Sequence, residues 1–346
     1  MKQGFNSIND LAVELQNQLA TKKDYIVPTS FLSMTIKEKK PIILGANHAM
    51  GITGHAHGQI AGRLGIPLPY YNKMLEESPE LLAQNVNHWF KASTEKRMLR
   101  TLLGNVRAFL SDRFRPLDHF DLVQVVLPHM LKAGCKIVSC ALTETKMYIK
   151  AVAKTIRAEV KKGDVVEAGV VVSNSEVGSG ALLVDPFINR LVCDNGLIIP
   201  DSGVRKHHLG KLVDETNELY TRKTIMAANR ALFMKVNDVV SGLLNHDSFT
   251  NFVKGMQIAA DQKITRNPVE VVEDVSGKFQ LTDMESGGII QHLVAGGDLS
   301  KWGLVNAITR ASADVDDYDR ATDLERVGGQ LLNVTDAEWH ELAKVA

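Results

Sequence analysis

The stretch KIVSCALTETKMYIKAV, residues 136–152, decides the fold that we predict for this chain. Apolar and polar residues alternate on both sides of a short polar segment, which is typical of two β-strands joined by a tight turn. The predicted turn is Thr143-Glu144-Thr145. In the second strand, alternation places Lys146, Tyr148 and Lys150 on one face. The opposite face is apolar and is formed by Met147, Ile149 and Ala151.

A second predicted hairpin repeats this composition. Its strands cover residues 97–102 and 106–113 and turn at Gly104-Asn105. Alternation again groups two cations and an aromatic residue, here Arg107, Phe109 and Arg113. Cations can bind phosphates and aromatic rings can stack on unpaired bases, so the repeated pattern favours binding of a single strand. The alternative is a solvated face on which each cation covers apolar surface with its stem.

The charges of the chain are also divided unevenly. Lys and Arg total 40, as do Asp and Glu, so the formal net charge is zero. Residues 90–211 hold 19 basic and 12 acidic residues, a balance of +7, whereas residues 270–346 hold 6 and 15, a balance of −9. Such asymmetry indicates a polyanion partner. The alternative is a basic face whose acidic counterpart lies elsewhere on the same molecule.

The order of predicted elements gives the fold class. A helix over residues 120–132 lies between the two hairpins, and two more strands follow over 165–173 and 181–192. We predict an α+β fold, with an antiparallel sheet of hairpins and helices packed on one face. Helical regions flank this sheet.

Three regions follow from these patterns. Residues 1–89 form a predicted helical N-terminal region, 90–211 the basic sheet core, and 212–346 a helical, acidic C-terminal region. The acidic helices are expected to dock a partner or to regulate the protein itself. No apolar run reaches the ~20 residues of a membrane helix and no apolar signal core opens the sequence, so we expect a cytoplasmic protein.

Catalytic patterns are weak. His48, His55 and His57 are candidate metal ligands, but no carboxylate or cysteine lies at a supporting spacing. The glycine-rich segment 176–180 could hold a phosphate, yet it lies between two strands, which favours a hairpin connection. We therefore predict neither a catalytic site, nor a metal, nor a cofactor.

Several segments resemble an uncharacterised family of phage and plasmid proteins, catalogued as domain of unknown function 932. They include RAFLSDRFR at 107–115, RLVCDNGL at 190–197 and WGLVNAITR at 302–310. The resemblance implies a bacterial mobile element as context and carries over no activity. The predicted layout is also similar, in architecture alone, to single-strand annealing recombinases of the Red-beta type.

These observations give one hypothesis and one alternative. We expect single-stranded DNA binding in a bacterial cytoplasm, extending to strand annealing, by a homo-oligomer. The predicted phosphate contacts are Arg100, Arg107, Arg113, Arg115, Lys146, Lys150, Lys154 and Arg157, and the predicted stacking residues are Phe109 and Tyr148. The alternative is a protein-interaction factor of a mobile element that acts on host defence or replication proteins. A host or phage replication or recombination protein is a further expected partner.

Overall fold

The structure, a computed structural model, describes residues 4–193, 195–200, 204–206 and 222–343. Two six-stranded sheets form two lobes, and helices cover both. The predicted α+β class is confirmed. The predicted boundary between residues 211 and 212 lies outside the described residues.

The first lobe is built on a mostly antiparallel sheet. Its strands are β1 (Lys23–Pro28), β2 (Ser33–Lys37), β3 (Lys40–Gly45), β4 (His48–Ile52), β5 (Lys96–Leu102) and β6 (Asn105–Ser111). They are arranged in the order β1-β5-β6-β4-β3-β2, and only the β4–β6 pair is parallel. Packed against the sheet are α2 (Gly54–Leu64), α3 (Leu68–Glu77) and α4 (Pro79–Ala92).

The N-terminal region, predicted to be helical, contains four of these strands as well as helices. Their turns give little sequence signal. Glu38 and Lys39 connect β2 to β3 with φ of 52° and 63°, a left-handed conformation usually taken by glycine or asparagine. Since β1 and β4 pair with β5 and β6, the predicted basic core contributes strands to two sheets instead of one.

The second sheet follows α5 (His119–Lys132). Its strands are β7 (Lys136–Leu142), β8 (Met147–Lys161), β9 (Asp164–Asn174), β10 (Leu182–Arg190), β11 (Asn195–Ile198) and β12 (Val204–Lys206). The order is β11-β10-β9-β8-β7, and β12 also pairs with β10. The glycine-rich segment 176–180 connects the antiparallel strands β9 and β10, as predicted.

Helices enclose this second sheet. They are α1 (Ile8–Leu19), α5, α6 (Arg222–Leu243), α7 (His246–Asp261), α8 (Pro268–Phe279), α9 (Asp283–Gly296), α10 (Lys301–Ala311), α11 (Tyr318–Leu332) and α12 (Asp336–Ala343). Among the described residues, none of the helices combines the length and apolar character needed to cross a membrane.

Both faces of the second sheet are covered, so the prediction of helices on one face is wrong. Met147, Ile149 and Ala151 lie in the main core, which also contains residues of α5, α6 and α7. The opposite face carries Tyr148, whose ring lies 5.3 Å from that of Tyr318 at the start of α11. The acidic C-terminal region therefore forms a second helical layer on the sheet.

Candidate nucleic-acid interface

The ten residues predicted to contact nucleic acid do not form one surface. Five are buried: Arg100, Arg107, Phe109, Tyr148 and Lys150. Three are exposed, namely Arg113, Lys154 and Arg157, while Arg115 and Lys146 are half-buried. The buried and exposed members have different partners and different consequences.

Lys150 is fully buried and paired. Its Nζ lies 2.5 Å from Oε2 of Glu325 on α11, and both side chains are inaccessible to solvent. Burial lowers the pKa of Lys150 and raises that of Glu325, and the attraction between the two charges opposes each shift. The ammonium group also lies 5.1 Å from the centre of the Tyr318 ring. Lys150 is therefore unable to reach a phosphate in this structure.

Tyr148 belongs to the same covered face. It is fully buried, and burial raises the pKa of its hydroxyl. Lys146 is half-buried at the β7–β8 turn. Alternation correctly predicts that Tyr148 and Lys150 share a face, but the prediction that this face is open to nucleic acid is wrong. The reason is the cover of α11, which is distant in sequence.

A β-bulge at Arg107 places Arg107 and Phe109 on different faces of β6. Thr101 pairs with Val106 whereas Arg100 pairs with Ala108, which leaves Arg107 as the extra residue. A bulge shifts the alternation by one position. Phe109 consequently enters the core of the first lobe, where its ring stacks on that of Phe90 at 5.9 Å. The predicted common face of Arg107, Phe109 and Arg113 is therefore wrong.

Arg107 instead joins a buried charge network between the lobes. Its Nη2 lies 2.6 Å from Oε2 of Glu176, which is fully buried in the β9–β10 connection. Oε1 of Glu176 accepts hydrogen bonds from Lys22 Nζ at 2.7 Å and from the backbone N–H of His119 at 2.6 Å. Burial alone raises the pKa of Glu176, but the positive charges of Arg107, Lys22 and Arg100 hold it well below its usual range.

Arg100 extends this network. Its Nε donates to Asp24 at 2.9 Å and its Nη2 to Asp118 at 2.7 Å. Its Nη1 donates to the backbone carbonyl of Glu176 at 2.9 Å, so the guanidinium connects the β9–β10 connection to the first sheet. The predicted phosphate contact from Arg100 is wrong because its charge is used inside the protein.

Histidines in the interior are neutral. Burial lowers the pKa of His119 to about 4, and Asn174 Nδ2 lies 2.9 Å from its Nδ1. His57, one of the candidate metal ligands, lies with Nδ1 2.8 Å from the Tyr71 hydroxyl, and burial lowers its pKa to about 4 as well. Within the described ranges, no three His, Cys, Asp or Glu side chains are grouped as metal ligands.

A cleft lies beside the charge network. Its volume is about 210 Å³, and it lies between the β5–β6 turn of the first lobe and the β7–β8 turn of the second. Arg107, Glu176 and His119 line it from the interior, and Leu103 and Glu144 line it from the two turns. No local pattern in the sequence predicts this cleft, because the two turns are about forty residues apart and meet only through packing of the lobes.

Four exposed cations lie on or next to one margin of the second sheet. We call Lys132, Lys136, Lys154 and Arg157 the basic edge. All four are exposed, and none forms an ion pair with a residue in the described part of the chain. Strand β7 is the last strand of the sheet, and β8 extends beyond it.

Strand register brings members of the basic edge together. Lys136 pairs with Val152, so Lys154 is its diagonal neighbour on the same face, at about 7–8 Å. Arg157 follows after a bulge and lies opposite Glu167. Glu167 instead accepts a hydrogen bond from Asn189 at 3.2 Å. Lys132 and Lys136 lie in the basic stretch of the sequence, and their position before the edge strand is the signal that could have identified them.

Arg113 and Arg115 lie apart from the basic edge, in the segment after β6. Arg113 is exposed, and Arg115 donates through Nε to Asn229 Oδ1 on α6 at 3.1 Å. Of the ten predicted residues, only Lys154 and Arg157 belong to the basic edge.

These features define a two-lobed α+β protein with a charged interior between its lobes and a cationic margin on its second sheet. The sequence model of a family described as Domain of unknown function (DUF932) matches residues 110–328, which is 219 of the 346 residues. The chain belongs to this family. No curated protein and no solved structure matches it.

Proposed function

We propose that this protein binds single-stranded DNA through phosphate contacts from the basic edge. The observation that carries the proposal is the contrast within one basic segment. Lys150, Arg107 and Arg100 are buried against acidic partners, whereas the four cations of the basic edge are exposed and pair with no acidic residue in the described part of the chain. Exposed, unpaired cations on one margin attract a polyanion.

The geometry of the margin favours a flexible strand. Three of the four cations lie on strands β7 and β8, and Lys132 ends α5 next to them. A flexible single strand can bend to follow them, whereas duplex DNA is stiff over about 150 base pairs. Because Phe109 and Tyr148 are buried, the proposed contacts are to phosphates and not to stacked bases. Binding by the basic edge itself is therefore expected to depend little on sequence and strongly on salt.

Fluorescence anisotropy of a labelled single-stranded 30-mer at two salt concentrations tests the proposal. The wild type is expected to bind at low salt and to weaken steeply at high salt. The Lys154→Glu/Arg157→Glu variant is expected to lose at least tenfold in affinity. Lys39→Glu/Lys40→Glu reverses the same amount of charge at an exposed turn of the first lobe and is the matched control. Equal loss in both variants would contradict the proposal.

Strand annealing and self-assembly extend the proposal to the phage or plasmid context that the family resemblance suggests. A bacterial cytoplasmic recombination factor of this kind would assemble on DNA as a homo-oligomer. Light scattering with and without oligonucleotide measures this, and growth of the assembly with strand length is expected. A constant monomer mass that persists on DNA would contradict assembly but leave binding intact.

The second candidate is an interaction factor whose basic edge meets an acidic host protein. The same exposed cations support it. Capture of a partner from nuclease-treated bacterial lysate by the wild type, and not by Lys154→Glu/Arg157→Glu, combined with no oligonucleotide binding, would favour this function over DNA binding.

A further inference from the structure

The cleft between the two lobes has features of a ligand site. Its volume of about 210 Å³ equals that of about seven water molecules at about 30 Å³ each, which is the scale of one heterocyclic ring system. It is built from turns of both sheets, and clefts between structural units are common places for small ligands.

The charges that face the cleft largely compensate one another. Arg107 is paired with Glu176, and His119 is neutral because burial lowers its pKa to about 4. Glu144 on the β7–β8 turn is then the remaining charged group of the lining. Its Oε1 accepts a hydrogen bond from the backbone N–H of His55 at 2.9 Å, which fixes one oxygen of the carboxylate in this cleft lining.

The walls combine apolar surface with hydrogen-bonding groups. Leu102, Leu103 and Leu142 provide the apolar surface, and the amides of Gln18 and Asn105 provide both donors and acceptors. Arg107 is nine-tenths buried, and its Nε donates to no acceptor in the described part of the chain. A planar, neutral molecule with polar edges matches this lining better than an anion, which the Glu144 carboxylate would repel.

The backbone around the cleft is unusual in two places. Leu103 has a φ of 50° and is 71% exposed, a conformation that bulky residues rarely adopt. Arg107 is placed by the β-bulge of β6. Strained residues and bulges concentrate at ligand sites, where they aim side chains that regular strands would direct elsewhere.

We infer that this cleft accepts a single nucleobase that carries an exocyclic amino group. The amino group would donate to the free oxygen of Glu144, as carboxylates do with the amino group of cytosine. The ring would lie among the leucines, and its acceptor atoms would face the amides of Gln18 and Asn105. The inference rests on the proposed function, since it identifies a base contact for the same DNA that the basic edge holds by its phosphates.

Free nucleosides test the cleft without involving phosphate contacts. Ligand-observed saturation-transfer NMR with deoxycytidine, deoxyadenosine and thymidine is expected to give saturable, millimolar binding of the first two. Thymidine has no amino group and is expected to bind at least tenfold more weakly. The Lys154→Glu/Arg157→Glu variant is expected to bind nucleosides as the wild type does while losing the oligonucleotide.

Glu144→Gln is the informative variant, because its amide oxygen can still accept from His55 and preserve the fold. It is expected to weaken deoxycytidine binding at least fivefold and to reduce the preference over thymidine. Absence of saturable nucleoside binding, equal binding of thymidine, or an unchanged Glu144→Gln variant would each overturn the inference. If the 30-mer still binds in those cases, only the cleft is misassigned. If nucleosides bind and the 30-mer does not, the basic edge is misassigned as the DNA-binding surface.

Discussion

The two halves of strand β8 both carry cations but have opposite environments. Residues 147–153 are buried, and Lys150 at their centre is paired with Glu325 of α11. In the second half, Lys154 and Arg157 are exposed, and neither pairs with an acidic residue of the described chain. The difference lies in the cover, since α11 packs on the first half.

This contrast shows that a basic strand is not in itself a binding strand. A buried ammonium is stable only when an opposite charge replaces its lost hydration. An exposed ammonium keeps its hydration and remains available to a ligand. The uneven charge of the chain is therefore partly internal, because Lys150 and Lys161 of the basic region pair with Glu325 and Asp298 of the acidic region.

Removing the buried cation is expected to have the largest effect. Lys150→Met leaves Glu325 uncompensated and should lower the free energy of unfolding by about 3–5 kcal/mol, as measured by urea denaturation. The Lys150→Met/Glu325→Leu double variant, which removes both charges, should recover most of that loss. A single variant that loses less than about 1 kcal/mol would contradict the structural role of the pair.

The charge network between the lobes should behave like the first half of β8. Glu176→Gln leaves Arg107 and Lys22 without their carboxylate, so we expect a loss of about 3 kcal/mol in the free energy of unfolding. Hydrogen exchange of β6 should also become faster. Glu95→Gln removes an exposed carboxylate near Arg97 and serves as the control. Its free energy of unfolding should change by no more than about 0.5 kcal/mol. Equal effects of the two variants would contradict the network.

Mild acid should lower the free energy of unfolding through two buried histidines. Burial lowers the pKa of His57 and of His119 from 6.5 to about 4. The unfolded chain therefore binds these protons first, and the stability present above pH 6.5 is lost as pH falls towards 4. Between pH 6.5 and 5 we expect each histidine to lower the free energy of unfolding by up to about 1.4 kcal/mol for each unit that the pH falls. Chemical denaturation across this range measures it, and a flat profile would contradict neutral, buried histidines.

The second half of β8 should tolerate substitution with the smallest change in stability. Lys154→Ala and Arg157→Ala remove exposed side chains without described ion-pair partners, so each should change the free energy of unfolding by no more than about 0.5 kcal/mol. Thermal unfolding measures this. A loss of several kcal/mol in either variant would mean that the basic edge supports the fold.

Local sequence rules predicted the first half of β8, but the strand was predicted to end at Val152 and continues to Lys161. Alternation assigned Met147, Ile149 and Ala151 to the core, where they lie. It could not show what covers the other face, because Glu325 is 175 residues away from Lys150 along the chain. Burial of Tyr148 and Lys150 is therefore a property of tertiary packing that short windows do not contain.

Two further differences between the predicted and the observed structure have local causes that the sequence does not reveal. The bulge at Arg107 reverses the expected orientation of the residues around it, and no glycine marks it. The hairpin between β2 and β3 turns at Glu38 and Lys39, which lack the usual turn chemistry. By contrast, α2 ends at Gly65, whose φ of 69° is the left-handed conformation that glycine commonly adopts after a helix.

The salt dependence of DNA binding tests the central claim most directly. If the four cations of the basic edge each neutralise one phosphate, the logarithm of the binding constant for a single strand should fall against the logarithm of salt with a slope of about −2.8. Lys154→Ala/Arg157→Ala should reduce the slope to about −1.4 at unchanged stability. A slope that is the same in the wild type and in this variant would contradict the assignment of the basic edge as the DNA-binding surface.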